Sequence, residues 1–505
     1  MKKIYKTLAI LIAALLLISC GNRNVNAILK AQKASREKLE VEWTKFADDF
    51  FMYSALRDSG SSGYDISIKN WQSTKDTMPK FIEQCIANNI GLKFDSVNDK
   101  KNKEFRYSYV LKNILQGQPE TTIVNVKVGN TNIEAASPEI LGKTFTIKTS
   151  DVGKLGALVL PLMAFPMLSI DLSYDNLKKM NFFELDKVTI KRLEKATRNF
   201  YSKAKISKTD SGYIIESGAE NVKNYQTEVF NTLYKDSHIT ALIELYKKLL
   251  PAENFNTIQT KLADLLNNLP KVTKLTEEMV ITKGFITKSK TKCEYETGKT
   301  SEFGYEIADY EHPLNSCLLK MSIPLDVDGS SEYYNISFGS QGTCEKDKAD
   351  LWFFTDLSNK KTAETFALNF NFAADATKTS DNFRALMTIV GSSPLAKSKS
   401  ESQPDTVGVP SMVSLSVDGS MKKTSDDITY TVGSIALNNQ PNDAPADTNL
   451  IELEGSYYMS KKVPESFKLP EEKLEILNIT PSGWKTLQDE VLQNIENLAQ
   501  KLNLK

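Results

Sequence analysis

Residues 364–373 read Glu-Thr-Phe-Ala-Leu-Asn-Phe-Asn-Phe-Ala, with apolar side chains at Phe366, Leu368, Phe370 and Phe372. Successive side chains of a β-strand point to opposite sides, so this period of two places all four on one face. One apolar face and one polar face are typical of a half-buried strand in an antiparallel sheet. The stretch therefore predicts antiparallel sheet in this part of the chain.

The same period recurs on both sides of that stretch. Phe105, Tyr107 and Tyr109 alternate with smaller or polar residues, and so do the valines of 124–128. Most of 271–390 follows the pattern too, which indicates a β-meander of several strands. Further strands are predicted at 413–417, 428–432 and 450–458.

Other segments change to the helical period. Leu39, Trp43, Phe46, Phe50 and Tyr53 recur at steps of four and three, which predicts one apolar helix face. The pattern predicts helices over about 27–56, an antiparallel pair over 221–269, and 484–502. We therefore expect an α+β protein, with antiparallel sheet strongest in 271–460 packed against amphipathic helices at the N-terminus, centre and C-terminus.

Composition shifts divide the chain into regions. Residues 58–63, rich in Ser and Gly, predict a flexible turn after the first helix. The regions are a signal peptide at 1–19, a lipidated cysteine and tether at 20–26, a helix-rich α+β region at 27–270, a β-meander at 271–390, a Ser/Pro/Lys-rich linker or long loop at 391–410, and β-hairpins with a C-terminal helix at 411–505.

Overall composition excludes several classes of protein. The chain has 505 residues, with 63 Lys+Arg against 63 Asp+Glu and 41% apolar residues. These values are ordinary for a globular protein and argue against disorder and against a polytopic membrane protein. No strongly basic domain or stripe is present, so we expect no nucleic-acid partner.

The N-terminus has the features of an export signal. Lys2, Lys3 and Lys6 precede an apolar run at 8–18, which is short for a membrane span and fits a signal peptide. The run ends in Leu17-Ile-Ser-Cys20-Gly, which resembles the lipobox of bacterial lipoproteins. A plain secretory signal with an incidental cysteine is the alternative. The resemblance is confined to these twenty or so residues; the rest of the chain resembles no family that we recognise.

That resemblance has consequences for location. It implies a diacylglyceryl group on Cys20, cleavage before it and acylation of the new amine. Several acyl chains at one residue anchor a protein firmly, whereas one chain is marginal. Gly21 stands where inner-membrane lipoproteins of many Gram-negative bacteria carry Asp, so the resemblance favours the outer membrane. The expected partner is thus the membrane itself, through the lipid anchor.

Catalytic and metal-binding motifs are scarce. The chain has two histidines, His238 and His312, and neither a His-Glu-x-x-His nor a Gly-x-Ser-x-Gly motif. Ser-x-x-Lys occurs at Ser35, Ser289 and Ser358, as chance supplies in a chain rich in both residues, and no Lys-Thr-Gly accompanies it. We therefore predict a protein that is not an enzyme and has no cofactor, metal site or catalytic residues.

Four cysteines remain after Cys20, namely Cys85, Cys293, Cys317 and Cys344. An even number in an oxidising compartment allows two disulfides in any of three connectivities. Three of the four fall in the β-rich section, where we expect at least one bridge. Free buried thiols are the alternative, because the sequence does not fix the register of the strands.

One segment departs from the average. Residues 155–168 are fourteen in number and include no polar side chain. Pro161 and Pro166 interrupt the run, so it makes a poor transmembrane helix. The segment is a buried core, a mobile apolar lid or a wedge in the membrane surface; the last two would make Leu160, Phe165 and Met167 ligand-binding residues.

Two functions fit these observations. The first is an envelope lipoprotein that binds an apolar or amphiphilic ligand through 155–168 and the aromatic strand face at 366–372. The second is a structural or interaction lipoprotein of the outer membrane or cell surface, with an envelope protein as its partner. Both rest on the anchor and the architecture, and architecture by itself does not establish function.

Overall fold

The structure is a computed structural model, and it describes residues 23–73, 78–115, 118–154, 172–179, 185–240, 243, 271–327, 330–359, 364–392, 411–440, 447–465 and 467–501. Seven α-helices have both ends within those residues. They are α1 Arg23–Phe51, α2 Tyr53–Asp58, α3 Lys80–Ala87, α4 Tyr174–Lys179, α5 Lys187–Ser202, α6 Ala219–Tyr234 and α7 Pro481–Lys501.

The strands form two groups along the chain. The N-terminal group is β1 Gly60–Ser73, β2 Gly91–Asp99, β3 Glu104–Leu115, β4 Gln118–Val128, β5 Asn132–Ala136 and β6 Thr144–Lys148. The second group, which begins after α5, is β7 Lys205–Lys208, β8 Gly212–Gly218, β9 Val272–Thr282, β10 Phe285–Tyr295, β11 Thr300–Ile307, β12 Ser316–Val327, β13 Ser330–Cys344, β14 Lys348–Asn359, β15 Glu364–Asp375, β16 Phe383–Ser392, β17 Ser411–Lys423, β18 Asp427–Gln440, β19 Asp447–Ser460 and β20 Lys473–Glu475.

All twenty strands belong to one sheet. From β7 to β19 each strand pairs antiparallel with the next one in the chain. Strand β19 then pairs with β1, and the sheet continues through β2, β3, β4 and β5 to β6. Strand β20 adds a short parallel pairing to β6. The predicted α+β class with a predominantly antiparallel sheet is confirmed.

Helix α1 crosses many of these strands. The backbone N–H of Ile286, on β10, donates to the Ser35 hydroxyl at 2.8 Å. Further along the helix Phe46 packs on Phe353 of β14, with ring centroids 6.0 Å apart. Near its end the Tyr430 hydroxyl of β18 donates to the Phe50 carbonyl at 2.6 Å. The helix therefore runs along the hydrogen-bonding direction of the sheet, from β10 to β18.

Two apolar cores lie beneath α1. The first holds the start of the helix, including Val25 and Ile28, against α5, α6 and strands β8–β12. The second holds Phe46 and Phe50 against β14, β15 and β17–β19. Aromatic pairs with tilted or edge geometry dominate the second core, and each such pair stabilises by about 1 kcal/mol beyond its buried area.

Several boundaries differ from the sequence prediction. Helix α1 begins at Arg23, so the last residues of the predicted tether are helical. The Ser/Gly-rich run predicted as a turn belongs mostly to β1, because Gly63 packs too closely for any side chain; a Cβ there would meet the Phe94 carbonyl oxygen at 2.2 Å. Part of the predicted linker, up to Ser392, is strand β16, and 393–410 lie outside the described residues.

Candidate functional site

One face of the sheet, here called the inner face, carries α1. On β14 the side chains of Ala349, Leu351 and Phe353 point to this face and are buried in the second core. The register pairs Leu351 with Phe372 and Phe353 with Phe370 on β15. The pairing of β14 with β15 has no irregularity, so every second residue further along these two strands also faces inwards.

Beyond α1 the inner face remains apolar, but the described helices do not cover it. Phe366 on β15 is 41% exposed, and Val413 on β17 and Leu437 on β18 are each 37% exposed. Their inner-face neighbours are half-buried. We call this surface the apolar band; beside the Phe366 ring, its aliphatic section consists of Leu357, Leu368, Met387, Ile389, Val413, Leu415, Val417, Ile435 and Leu437.

A second apolar row of the inner face runs from the second core across β19 to the N-terminal strands. Register places Tyr457 of β19 opposite Tyr64 of β1, Tyr64 opposite Phe94 of β2, and Phe94 opposite Tyr109 of β3. The Phe94 ring lies 5.4 Å from the Tyr64 ring and 4.7 Å from the Tyr109 ring. Tyr109 is 41% exposed. Tyr457 itself lies opposite Tyr430 of the second core, so these aromatic residues form a separate row, the tyrosine section, that continues the second core and not the aliphatic section.

The outer face has a different chemistry. On β10 and β11, Lys288 pairs with Glu306 at 3.5 Å and Lys290 with Glu302 at 3.1 Å. All four side chains are about half exposed, so each pair stabilises the sheet only slightly. Charged pairs of this kind keep the outer face hydrated at β10 and β11, whereas on β14 the outer face also carries Trp352, which is 47% exposed.

The residues predicted for ligand binding are only partly placed. Cys20 and the segment 155–168, with Leu160, Phe165 and Met167, lie outside the described residues. The aromatic face of β15 at 366–372 lies within the described residues, and its two ends have different environments. Phe372 is 1% exposed in the second core, whereas Phe366 opens onto the apolar band.

The four cysteines are free thiols in the structure, so the expected disulfide is not formed there. Cys293 lies on β10 opposite Ser301 of β11, and Cys317 lies on β12 opposite Ile307 at the other end of β11. Six residues of extended strand separate those positions by about 20 Å, far beyond disulfide reach. Cys85, in α3, lies far from both in the sequence.

Burial also keeps these thiols protonated. It raises the pKa of Cys317 to about 12. Burial, assisted by the carboxylates of Glu42 and Asp49, raises the pKa of Cys344 to about 11. Because the thiolate is the reactive form, neither residue suits nucleophilic or redox chemistry at neutral pH.

Two serines of the Ser-x-x-Lys matches have structural roles. The Ser35 hydroxyl, which accepts the Ile286 N–H, is 3% exposed inside the helix–sheet contact. Ser289 donates to the Glu277 carboxylate at 2.8 Å, while Lys292 lies on the opposite face of its strand and contacts Glu294. Ser289 therefore has no lysine placed to activate it, and Lys38, one helical turn after the enclosed Ser35, pairs with Glu42 at 3.5 Å.

Glu277 is a buried carboxyl on the inner face, 4% exposed beneath α1. The Tyr201 hydroxyl donates to its Oε2 at 2.5 Å and Ser289 to its Oε1 at 2.8 Å. Burial raises the pKa of Glu277 above its ordinary value, and the two hydrogen bonds oppose that shift. These contacts join α5 to β9 and β10, so we assign the group a structural role.

Asp186, Asp236 and His238 form a further cluster of potential metal ligands. Asp236 Oδ2 accepts the backbone N–H of Asp186, and Asp186 Oδ2 accepts the backbone N–H of Ser237. Hydrogen bonds from the side chain and the backbone N–H of Ser237 hold the pKa of Asp186 below its ordinary value. Asp236 Oδ1 also accepts the backbone N–H groups of His238 and Ile239, so the two carboxylates join the start of α5 to residues 236–239, and we assign the cluster a structural role.

Two surface depressions in the described part of the chain lie elsewhere. One, of about 370 Å³, is lined by residues that include Lys422, Thr424 and Asp427. The other, of about 440 Å³, lies between α5 and α6 beside Arg192 and Glu228. Neither includes a residue of the apolar band.

Sequence reasoning missed the N-terminal extension of the candidate site. It identified Tyr109 as part of an alternating strand but did not identify Tyr64. The reason is that residues 58–63, which include the start of β1, were predicted to form a turn. The alternation of Tyr64, Ile66 and Ile68 was a usable signal. That β1 would lie beside β19 could not be predicted from local pattern.

Among the described residues no helix has the length and apolar character needed to span a bilayer. No known protein family matches the chain, and no curated protein is significantly similar to it. The functional argument therefore rests on the chemistry of the candidate site.

Proposed function

We propose that this chain is a non-enzymatic lipoprotein of the bacterial envelope, anchored through Cys20 in the outer membrane, whose apolar band binds the hydrocarbon part of an apolar or amphiphilic ligand. The observation that carries the proposal is the exposure of Phe366, Val413 and Leu437 on one continuous apolar sheet face. Exposed apolar surface that is contiguous across several strands typically marks a binding site.

The dimensions of the band suit hydrocarbon chains. Its aliphatic section extends from β14 to β18, four strand spacings or about 19 Å. One leaflet of a bilayer contributes about 15 Å of hydrocarbon thickness, so an acyl chain fits across this section. Removing such a chain and the band from water stabilises the complex by about 25 cal/mol for each Å² of apolar surface buried.

The anchor would keep the band close to a source of lipid. Helix α1 begins at Arg23, only three residues after Cys20. An extended tether of that length reaches about 10 Å, so the folded body stays near the membrane surface. The first core fixes Val25 and Ile28 at the start of the helix, which makes the connection short and firmly held.

A matched pair of valines tests the proposal. A soluble Cys20→Ser version is purified without detergent, and its mass is measured by native mass spectrometry alongside analysis of its organic extract. Val413→Lys places a charge on the band, whereas Val188→Lys alters a valine of α5 that is 60% exposed. We expect near-stoichiometric lipid in the Cys20→Ser protein and in Val188→Lys, and a several-fold loss in Val413→Lys. A clean apo mass that added lipids leave unchanged would refute the proposal.

A second function is favoured by the C-terminal helix. Leu492 and Ile495 of α7 are 50% and 44% exposed, and their spacing of three places them on one side of the helix. An envelope protein that docks there would make this chain a structural or interaction lipoprotein. Crosslinking from position 492 in intact cells would then capture one partner reproducibly, and its repeated failure would leave this second function without support.

A further inference from the structure

Helix α5 presents positive charge to solvent. Five of its exposed side chains, which we call the basic stripe, are those of Lys187, Lys191, Arg192, Lys195 and Arg198. Four of them recur at steps of four, four and three residues, so they share one side of the helix over about 16 Å. Phe200 and Tyr201, on the buried side of α5, pack in the first core. The basic stripe therefore lies on the side of α5 that faces water.

Little of this charge is neutralised within the protein. Glu194 is the single acidic residue of α5, and Arg36 of α1 contacts its carboxylate at 3.3 Å. At the other edge, Glu228 of α6 lines the same surface depression as Arg192. Among the described residues, no carboxylate forms an ion pair with a member of the basic stripe. The stripe is thus available to an anionic partner.

The basic stripe corrects the expectation of a chain without one. From the sequence no helix is predicted over 187–202, and the five residues share an exposed side only in a helix. Apolar residues such as Leu193 separate them along the chain, so they form no run of charge.

The basic stripe lies beside the part of the chain that leads to the expected anchor. The contact of Arg36 with Glu194 holds α1 against the edge of the stripe. The first turns of α1 share the first core with the last turn of α5. Arg23, at the start of α1, is three residues from Cys20, and a tether of that length reaches about 10 Å. A membrane that holds acyl chains on Cys20 thus comes within reach of α5.

We propose that the basic stripe binds the anionic phospholipid headgroups of the membrane that holds the anchor, and so fixes the orientation of the folded body on that surface. The proposal rests on the anchor of the proposed function but not on the apolar band. Charge complementarity supports it, because each lysine or arginine near an anionic surface strengthens binding by about fivefold. Several acyl chains already anchor the protein, so this attraction determines how the body lies and not whether it is bound.

An anionic lipid surface suits the stripe better than a nucleic acid does. Sites for single-stranded nucleic acid combine basic groups with aromatic side chains that stack on bases. The exposed residues of α5 include no aromatic side chain. The export signal expected at 1–19 also takes the chain away from nucleic acid and places it beside lipid.

Vesicle sedimentation with the soluble Cys20→Ser protein tests the stripe apart from the anchor. One set of vesicles is dioleoyl phosphatidylcholine, and the other also contains 30% dioleoyl phosphatidylglycerol. In 0.1 M salt we expect binding to the anionic vesicles to be stronger by at least about tenfold. The preference should disappear in 0.5 M salt, because the screening length of about 10 Å at 0.1 M shrinks as salt rises.

Charge reversal then locates the binding surface. Lys191→Glu combined with Lys195→Glu reverses two charges in the middle of the basic stripe. This double variant should bind the anionic vesicles at least about tenfold more weakly, since each lost charge accounts for about fivefold. Both positions are exposed, and an unchanged far-ultraviolet circular dichroism spectrum would show that the fold is retained.

The matched control makes the same change in net charge elsewhere. It combines Lys346→Glu with Lys422→Glu, at two exposed lysines. Lys423 contacts both Asp49 and the Lys346 carbonyl, so these positions lie near the last turn of α1, about 40 Å from its start. The control should bind the anionic vesicles within about twofold of the unaltered Cys20→Ser protein.

Three results would overturn the proposal. The first is equal binding of the Cys20→Ser protein to both kinds of vesicle. The second is an equal loss in the two double variants, because binding would then follow net charge and not the stripe. The third is single-stranded DNA that binds as tightly as the anionic vesicles in the same salt, which would make the stripe a general site for polyanions.

Failure of the proposed function would be recognised separately. The mass of the N-terminal peptide isolated from cells shows whether Cys20 carries lipid, and an unlipidated cysteine would refute the anchor. Lipid retained in native mass spectra reports on the apolar band. The vesicle assay needs neither, so it decides on its own whether the basic stripe binds anionic lipid.

Discussion

Two phenylalanines of one strand should differ strongly in what they contribute to stability. Phe372 and Phe366 lie on the same face of β15, six residues apart, but Phe372 is 1% exposed and Phe366 is 41% exposed. Phe372→Ala leaves a cavity against Phe46, Phe50 and Phe51, so it should reduce the free energy of unfolding by about 3–5 kcal/mol.

The smaller effect at Phe366 follows from its exposure. Full burial of a phenylalanine side chain stabilises by about 1.5–3 kcal/mol, and Phe366 buries about three fifths of its surface. Solvent reaches the site, so truncation adds no closed cavity. Phe366→Ala should therefore reduce the free energy of unfolding by about 1–2 kcal/mol.

Urea unfolding of the soluble Cys20→Ser protein and both variants, followed by far-ultraviolet circular dichroism, measures the difference. The midpoints are compared where the slopes agree, because a changed slope would signal a change in cooperativity. Lipid is removed beforehand, since a ligand bound to the folded state would add its own stabilisation. Equal losses for the two variants would show that Phe366 is covered, and the apolar band would then not be an open surface.

Three further variants test contacts beneath and beside α1. Burial holds the pKa of Glu277 above its ordinary value, so the stability that the protonated carboxyl provides is complete at pH below 4.5 and is lost as pH rises through the raised pKa. The free energy of unfolding of Glu277→Gln, measured with urea, should therefore increase relative to that of the wild type from pH 5 to pH 8. A constant difference would contradict this. Gly455→Ala places a Cβ 2.0 Å from the Asp65 carbonyl oxygen and should destabilise by about 2 kcal/mol or more, seen as a lower melting temperature; an unchanged value would mean that β1 and β19 pack less closely. Tyr430→Phe removes the hydrogen bond to the Phe50 carbonyl and should cost about 1–2 kcal/mol in the same urea assay, whereas a neutral result would indicate that water replaces the hydroxyl.

The sequence predicted the class of this fold better than its connectivity. Alternation such as that of Phe366–Phe372 correctly indicated antiparallel strands, because the period of two is a local property of the backbone. The pairing of β1 with β19 joins residues almost 400 positions apart, and no local pattern encodes it. The same limit applies to the candidate site, whose aliphatic and tyrosine sections come from the two groups of strands.

Glycine and serine residues, which are typical of turns, led to a wrong turn prediction where they allow strands to pack closely. The Ser-Gly run before Tyr64 was interpreted as a turn, yet Gly63 lies inside β1 because the neighbouring strand leaves no space for a Cβ. Gly419 on β17 shows the same effect, opposite a β-bulge of β18, where a Cβ would meet the Thr431 carbonyl oxygen at 1.9 Å. Glycine thus marked close approach between strands, a reason that sequence alone cannot distinguish from conformational freedom.

Alternation also cannot tell what covers an apolar face. Phe366 and Phe372 have the same pattern, and only the position of α1 makes one a core residue and leaves the other open. Prediction of the band would have required the path of the helix across the sheet. That path depends on contacts such as Ser35 with Ile286, which lie about 250 residues apart.

The two edge strands of the sheet indicate that binding occurs on its face and not at its edges. Strand β7 has four residues, two of them Lys205 and Lys208, and β20 at the other end has three. Short strands and edge lysines discourage the pairing of another chain by backbone hydrogen bonds. A large sheet protected in this way still exposes apolar side chains at Phe366, Val413 and Leu437, whose exposure in water is unfavourable. An occupant that supplies hydrocarbon removes that penalty without any edge pairing, which is why a lipid fits this surface better than an added strand does.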